Sequence, residues 1–255
     1  MTRAQLGLGL IGIGRPWPVA DRAVPPPDQV RDLLRYAVAS GIRFFDTAPA
    51  YGMSEKRLGS FLHTLPAEAR ELLVIATKCG EIWTPEHGSV IDHSPEALTR
   101  SVARSVDLLG RLDLLQLHQA SSEVIGEPLV IDTLRQLRES YGIPYLGASV
   151  KTVEACDAAL TTGVFTHLQM PVNDTRPDLV AWARSHHQAI TIIGNRPFAS
   201  GQAADRPGER LAYTAGAVGP GIVLTGTTDQ THLAETLTEW RQRWRPVRGA
   251  ADKAG

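Results

Sequence analysis

The sequence predicts a single-domain (β/α)8 TIM barrel, and three observations favour this fold. Short apolar runs alternate with amphipathic helical patterns along nearly all of the 255 residues. Most of these runs are continuous rather than alternating, which is typical of parallel strands covered on both faces. No linker or change in composition divides the chain, and its length is ordinary for one such barrel. Parallel strands joined by crossover helices close best as a barrel.

The apolar runs predict eight strands, at residues 6–13, 42–45, 72–77, 112–117, 144–148, 166–169, 190–194 and 221–224. Helices are predicted between them, with Asp28 capping the first and Ser54 starting the second. Ser94-Pro95-Glu96 is a strong start for the third, because it combines a capping residue, a proline and an acid. Further helices are predicted at 127–139, from 152, from 176, at 209–215 and from about 230. Residues 79–93 read as a polar loop.

Composition limits the classes of function. The formal net charge of −1 argues against a general role on nucleic acid or on a membrane surface, since both attract excess charge. No apolar run approaches the ~18 residues that a membrane span needs. Cys79 and Cys156 form no CxxC pair, so a reduced, cytoplasmic protein with two free thiols is expected. The sequence carries no information on oligomeric state.

Polar residues follow the predicted strands at the ends that would form the mouth of the barrel. Because the carboxyl ends of parallel barrel strands converge there, these side chains predict one shared active site. From the second strand to the eighth they are Asp46, Lys78, His118, Ser149, Gln169, Asn195-Arg196 and Gly226-Thr227-Thr228, with Tyr51 in the loop after Asp46.

Four of these residues suit general acid–base chemistry on a carbonyl or alcohol oxygen. A free tyrosine has a pKa of ~10, and a lysine ammonium beside it favours the phenolate. Lys78 is therefore expected to lower the pKa of Tyr51, with Asp46 holding Lys78 charged. His118 would hydrogen-bond the group being protonated. No GxSxG nucleophile motif is present.

The same residues resemble the aldo-keto reductase family. The stretch GIRFFDTAPAYGMSEKRLG, residues 41–59, is similar to the family's aspartate–tyrosine signature, and the resemblance covers nearly the whole chain. It implies reduction of an aldehyde or ketone by hydride transfer from NADPH, with Tyr51 as proton donor and His118 orienting the carbonyl. The other segments that follow in the family's order are VIATK, LDLLQLH, LGAS, QMPVN (169–173) and GTTDQTHLAETL.

The resemblance also implies a set of cofactor contacts. Ser149 and Gln169 would hold the nicotinamide carboxamide, and backbone N–H groups after Gly226 could bind a phosphate. The remaining expected cofactor-binding residues are Asn195, Arg196, Pro197, Phe198, Gly226, Thr227, Thr228 and His232.

This cofactor segment departs from the family's pattern. Asn195 replaces an aromatic residue, Val150 replaces an Asn, and residues 198–220 are few for a helix and a cofactor clamp. Gly226, His232 and Thr236 stand where basic and amide residues are more typical. NADPH is the expected cofactor, and weak binding or no cofactor is the alternative.

Other patterns favour plain structural interpretations. Gly7 to Gly12 matches GxGxxG, but Pro16 and Pro18 exclude the helix that must follow, so no dinucleotide fingerprint is expected. Glu86, His87, Asp92 and His93 have no compact metal-ligand spacing, and no metal site is predicted.

Trp17 and Trp83 lie in predicted mouth loops and are candidate walls of a substrate pocket.

Three hypotheses follow from the sequence. The first is an NADPH-dependent carbonyl reductase acting on a small molecule. The second is a lyase, dehydratase or isomerase that uses Asp46, Tyr51, Lys78 and His118 without a nicotinamide cofactor. The third is a nucleotide-sensing or partner-binding barrel without turnover, which the matched acid and base argue against.

Overall fold

Eight parallel strands form a closed barrel in the computed structural model of the chain, as the sequence predicts. The structure describes residues 3–16, 23–199 and 206–243. The strands are β1 (Gln5–Gly9), β2 (Phe44–Asp46), β3 (Val74–Cys79), β4 (Glu81–Thr84), β5 (Gly88–Ile91), β6 (Leu114–Leu117), β7 (Tyr145–Ser149), β8 (His167–Pro171), β9 (Thr191–Asn195) and β10 (Ile222–Gly226). Strands β4 and β5 form a separate antiparallel hairpin, and the other eight pair in chain order until β10 closes on β1.

Helices surround the barrel and bury their apolar faces against it. Within the described residues, no helix is both long enough and apolar enough to span a bilayer. The helices are α1 (Pro27–Ala39), α2 (Ser54–Leu62), α3 (Ala67–Glu71), α4 (Pro95–Leu109), α5 (Ser122–Gly126), α6 (Pro128–Tyr141), α7 (Val153–Thr162), α8 (Pro177–His186), α9 (Pro207–Val218) and α10 (Gln230–Arg243), with 3-10 turns at Ile11–Ile13 and Pro49–Tyr51.

The helix starts follow local sequence, with one exception. Ser94 caps α4 by accepting a hydrogen bond from the backbone N–H of Ala97, as predicted. The prediction for Asp28 is wrong, because Pro26 holds the N-cap position of α1 and Asp28 lies in the first turn without capping. Prolines fit there because the first helical N–H groups have no intrahelical partner to lose.

The first strand is shorter than predicted. β1 ends at Gly9, and residues 11–13 turn into a 3-10 helix instead of continuing the strand. The two neighbouring strands end at the same level, since Gly9 pairs with Asp46, the last residue of β2, and with Gly226, the last residue of β10. After a last hydrogen bond from the Leu10 N–H to the Asp46 carbonyl, the chain leaves the barrel. Other strand boundaries differ from the predicted ones by one or two residues.

Besides the short helices α3 and α5 and the 3-10 turns, which the sequence does not predict, two segments carry more regular structure than expected. The predicted polar loop after β3 contains the hairpin β4–β5, in which Ile82 pairs with Val90 and Gly88 has a positive φ of 66° at the turn. The helix predicted at 209–215 is a full element, α9, with Leu211, Ala215 and Val218 buried against the barrel. Proline at its first position allows the earlier start.

Gly59 in α2 supports a test of this packing. A Cβ at Gly59 would overlap the carbonyl oxygen of Leu108 in α4. We expect Gly59→Ala to lower the free energy of unfolding by about 3 kcal/mol, because overpacking costs 1–3 kcal/mol and a backbone oxygen cannot move aside. Urea unfolding would measure it. Gly216→Ala in α9, where an added Cβ meets nothing within 4 Å, is the matched control and should be neutral or stabilising. Equal values for both variants would contradict the close packing of α2 on α4.

Candidate active site

A buried ion pair joins β2 to β3 at the mouth of the barrel. The Lys78 ammonium lies 2.7 Å from each carboxylate oxygen of Asp46 and donates to the Thr47 carbonyl at 2.9 Å. The Lys78 and Asp46 side chains are 1% and 3% exposed. Burial by itself would lower the pKa of Lys78, but the Asp46 carboxylate and Tyr51 together outweigh burial and the pKa is raised. Lys78 therefore stays charged at neutral pH.

Two glutamines complete the hydrogen bonding of Asp46. The Gln116 amide donates to Asp46 Oδ1 at 3.0 Å, and the Gln169 amide donates to Oδ2 at 3.2 Å. Gln116 lies directly beside Lys78 in the β3–β6 register, so both side chains reach the same point of the barrel interior. Sequence reasoning missed Gln116, although an amide inside the apolar run LLQL was a signal. A carboxylate held by four donor contacts is fixed in position.

Tyr51 lies at the end of the 3-10 turn Pro49–Tyr51, between β2 and α2. Its ring centroid is 4.8 Å from the Lys78 ammonium. Burial raises the pKa of Tyr51, and the positive charge of Lys78 opposes this without overcoming it. The expectation that Lys78 lowers the pKa below its free value is therefore wrong for this structure, because desolvation of the phenolate dominates. Tyr51 holds its proton at neutral pH.

His118 follows β6 and meets Tyr51 edge-on, with the ring centroids 6.0 Å apart. Its Nδ1 lies 3.0 Å from Oε2 of Glu81, a carboxylate that is itself only 5% exposed. Burial, reinforced by the charges of Lys78 and Lys151, holds the pKa of His118 well below its usual range, so the imidazole is neutral. Sequence reasoning missed Glu81 because it assigned residues 79–93 to a loop.

The residues expected to hold a nicotinamide present unused polar atoms. Ser149 pairs in register with Gln169 on neighbouring strands. Among the described residues, Gln169 Oε1 and Asn195 Oδ1 are buried without hydrogen-bond partners. Buried polar atoms are normally satisfied, so these oxygens indicate a ligand that brings N–H donors. A carboxamide is a group of that kind, and these residues fit it.

The helix start that was predicted to bind a phosphate already has its N–H groups hydrogen-bonded within the chain. The N–H groups of Thr231 and His232 at the start of α10 donate to Asp229 Oδ1, at 2.7 and 3.1 Å. A carboxylate thus already occupies the position that a phosphate would take at this helix. Gly226 pairs with Gly9 at the barrel rim, and the Thr227 hydroxyl contacts the Asp229 backbone.

The segment that follows β9, residues 196–198, has an unusual backbone conformation at Arg196. Arg196 has a positive φ of 54°, and its carbonyl accepts from the Asn173 amide at 2.8 Å. Pro197 follows, and Phe198 packs against the hydrophobic core, with part of its surface still accessible. Thr228 accepts through its carbonyl from the Gln29 side chain at 3.4 Å.

Other residues singled out in the sequence have plain surroundings. Trp17 lies outside the described residues, and Trp83 is on β4 rather than in a loop, with the Arg15 guanidinium 5.6 Å from its ring. Burial raises the pKa of Cys79 and of Cys156 to about 12, so neither is an activated thiolate. The described part of the chain contains no group of three or more potential metal ligands.

The site combines a neutral imidazole, a protonated phenol and a buried lysine–aspartate pair on the strand ends of a closed barrel. A sequence model of the Aldo/keto reductase family matches residues 5–238. The chain belongs to that family. Aldo-keto reductases are oxidoreductases, so the family assignment supports carbonyl reduction in general.

Individual relatives agree with this assignment. D-threo-aldose 1-dehydrogenase of a Pseudomonas species is 38% identical over 178 residues, which are 56% of this chain and 53% of that enzyme. The chain thus spans about half the length of this relative. A solved Pseudomonas aeruginosa protein assigned to the aldo-keto reductases is 30% identical, with a TM-score of 0.78 over 94% of this chain and 91% of that one. An aldo/keto reductase of Klebsiella pneumoniae, solved with NADP and acetate, shares the fold at 17% identity, with a TM-score of 0.67 over 94% and 90% of the two chains.

Proposed function

We propose that this aldo-keto reductase reduces an aldehyde or ketone to an alcohol, using NADPH as hydride donor and Tyr51 as proton donor. The observation that carries the proposal is the contact of Tyr51 with the buried Lys78–Asp46 pair. A phenol that keeps its proton at neutral pH suits an acid, which is what the reductive direction requires. His118 would orient the substrate.

Each group of the site has a distinct task in this proposal. Bound NADPH would supply the hydride that reaches the carbonyl carbon. The carbonyl oxygen, as it gains charge, would take the proton of the Tyr51 hydroxyl. The Lys78 ammonium, 4.8 Å from the Tyr51 ring centroid, would stabilise the phenolate left behind, and Asp46 holds that ammonium in place. Water would return the proton to Tyr51 after product release.

The chain offers its own contacts for the nicotinamide end of the cofactor. The unpartnered Oε1 of Gln169 would accept from the carboxamide, with Ser149 on the strand before it and Asn195 on the strand after it. Backbone and side chains at 196–198, 226–228 and 232 would face the rest of NADPH. The relative solved with NADP supports a nicotinamide cofactor in this fold. Asp229 at α10 would weaken the hold on an anionic phosphate, and repulsion there would make NADPH binding weaker than the family's usual affinity.

The Asp229 carboxylate also favours a second candidate function, because it weakens the hold on the cofactor phosphate. Asp46, Tyr51, Lys78 and His118 could act as a lyase, dehydratase or isomerase set without hydride transfer, because none of their contacts depends on a cofactor.

A titration with NADPH tests the proposal and separates the two functions. We expect quenching of tryptophan fluorescence that saturates below millimolar NADPH, together with cofactor consumption when a panel of aldehydes is added. Asp229→Asn should tighten NADPH binding by roughly two- to fivefold, because removing one like charge near a helix terminus is worth about 0.3–1 kcal/mol. Glu154→Gln, an exposed acid in the first turn of α7, is the matched control. Absence of binding at near-millimolar NADPH would favour the non-redox enzyme.

A further inference from the structure

The segment that follows β1 places an arginine beside the turn that carries Tyr51. The Gly14 carbonyl accepts a hydrogen bond from the Met53 N–H at 3.0 Å. A Cβ added at Gly52 would lie 3.3 Å from the Cβ of Arg15. The Arg15 side chain therefore starts at the rim of the proposed active site, next to the backbone that positions Tyr51.

The guanidinium of Arg15 extends from there to the hairpin β4–β5. Its central carbon lies 5.6 Å from the ring centroid of Trp83, and Nη1 lies 3.5 Å from the hydroxyl oxygen of Ser89. Strand β4 in turn packs against the 3-10 turn Pro49–Tyr51. The guanidinium thus lies between two elements that border the mouth of the barrel.

The charge of Arg15 is not balanced within the described part of the chain. None of the ion pairs formed among those residues includes Arg15. Its Nε is buried without a hydrogen-bond partner there, and Nη2 is equally unpartnered but not closed off. The Nη1 contact with Ser89 is long. Partly buried charges are normally paired, so this guanidinium indicates an anionic ligand.

Arg15 also lies close to His118. Burial holds the pKa of His118 well below its usual range, and the charges of Lys78, Lys151 and Arg15 act in the same direction. A Coulomb interaction weakens with distance, so these cations lie near the imidazole ring. A small molecule bound at His118 and Tyr51 is therefore within reach of Arg15.

The charges around the mouth favour a ligand with one negative charge. Lys78 and Asp46 cancel as a buried ion pair. Arg15 and Lys151 contribute two positive charges, and the Glu81 carboxylate, 3.0 Å from the His118 ring, opposes them with one negative charge. A carboxylate would balance the remaining positive charge, whereas a doubly charged phosphate would exceed it.

We propose that Arg15 is a specificity-determining residue that binds a carboxylate of the substrate while Tyr51 donates to the carbonyl oxygen. The inference rests on the proposed reductase function and narrows the substrate class to aldehydes or ketones that carry a carboxylate. A guanidinium suits this task because its paired N–H groups match the two oxygens of a carboxylate. The contact with the Trp83 ring holds the guanidinium in place and uses none of these N–H groups.

Paired substrates and three variants test the inference. We expect the wild type to reduce 4-oxobutanoate with a kcat/KM about tenfold or more above that of its uncharged methyl ester, because a hydrogen-bonded charge pair contributes that much. Arg15→Met keeps the side-chain length and should remove most of this preference, mainly through the 4-oxobutanoate KM. Arg15→Lys keeps the charge without the fork and should retain part of it. Arg35→Met, exposed on α1, is the matched control and should leave both substrates unchanged.

NADPH is itself anionic, so its binding is measured in the same variants. Arg15→Met should bind NADPH as tightly as the wild type does, by fluorescence titration. Weaker NADPH binding in Arg15→Met with an unchanged acid-to-ester ratio would assign Arg15 to the cofactor and overturn the inference. A wild type that reduces the ester as well as the acid would overturn it too.

A spectroscopic measurement does not depend on turnover. In 15N-labelled protein, the buried Arg15 Nε–H gives a signal that is assigned by its loss in Arg15→Met. Succinamate, in which an amide replaces the aldehyde of 4-oxobutanoate, should shift this signal saturably, and uncharged succinamide should not. No shift with succinamate, or equal shifts with both compounds, would overturn the inference. If no aldehyde is reduced while succinamate alone shifts the signal, the proposed function fails and the carboxylate site at Arg15 stands.

Discussion

Tyr51→Phe is expected to lower kcat/KM for aldehyde reduction by about 10³-fold, since a positioned general acid contributes roughly 10²–10⁴-fold. The phenyl ring preserves the packing beside Lys78 and removes only the hydroxyl that donates the proton. Steady-state NADPH consumption would measure the loss, with NADPH binding by fluorescence as the check that the cofactor site is intact. Tyr141→Phe, at the exposed end of α6, is the matched control and should behave as wild type.

The pH profile of the wild type follows from the same residue. Burial raises the pKa of Tyr51 above the value of about 10 for a free tyrosine. A proton donor is active while it holds its proton, so kcat/KM for reduction should show no fall assignable to Tyr51 at neutral pH and should decline only in the alkaline range. A limb that disappears in Tyr51→Phe and lies near pH 7 would contradict the dominance of desolvation. Full activity of Tyr51→Phe would exclude it as the proton donor.

Asp46→Leu is expected to lower the free energy of unfolding by about 3–5 kcal/mol, because it leaves the Lys78 ammonium buried without its partner carboxylate. The amide groups of Gln116 and Gln169 lose their acceptor at the same time. Urea unfolding monitored by circular dichroism would measure the change. The exposed pair of Arg135 with Asp132 supplies the control, and Asp132→Leu should cost at most about 1 kcal/mol.

The double variant Asp46→Leu/Lys78→Met separates stability from catalysis. Removing both charges should recover most of the lost stability, because a buried ion pair replaced by apolar side chains is often neutral. The activity of the double variant should stay far below that of the wild type, since no ammonium is left to stabilise the Tyr51 phenolate. A double variant that regains reductase activity would show that the ion pair serves only the fold.

Lys78 also makes a predictable contribution at high pH. Its folded pKa is raised above that of a free lysine, so its contribution to stability is present below the unfolded pKa and is lost as the pH rises through the folded one. At neutral pH the lysine is charged while Tyr51 holds its proton. The charge that would stabilise a phenolate is thus in place where the phenol is expected to donate.

Local patterns predicted most of the architecture. The barrel strands appear as short apolar runs because each is covered on both faces, and helix starts such as Ser94-Pro95 depend on neighbours within four residues. The four acid–base residues could be grouped from sequence because the carboxyl ends of parallel strands always meet at one mouth. Side-chain contacts between different strands could not be predicted in this way. Gln116 donates a hydrogen bond to Asp46, which lies 70 positions away in the sequence. The apolar run that contains Gln116 does not indicate this partner.

The sequence alone determined the barrel, the meeting of Asp46, Tyr51, Lys78 and His118, and the family to which they belong. Only the tertiary structure decided how these groups titrate and what supports them. It reversed the expected direction of the Tyr51 pKa, since desolvation sums over every surrounding atom and no linear pattern contains that sum. It also brought Glu81 to His118 by folding a predicted loop into a hairpin. Periodicity is a property of the chain, whereas charge and burial at a site are properties of everything packed around it.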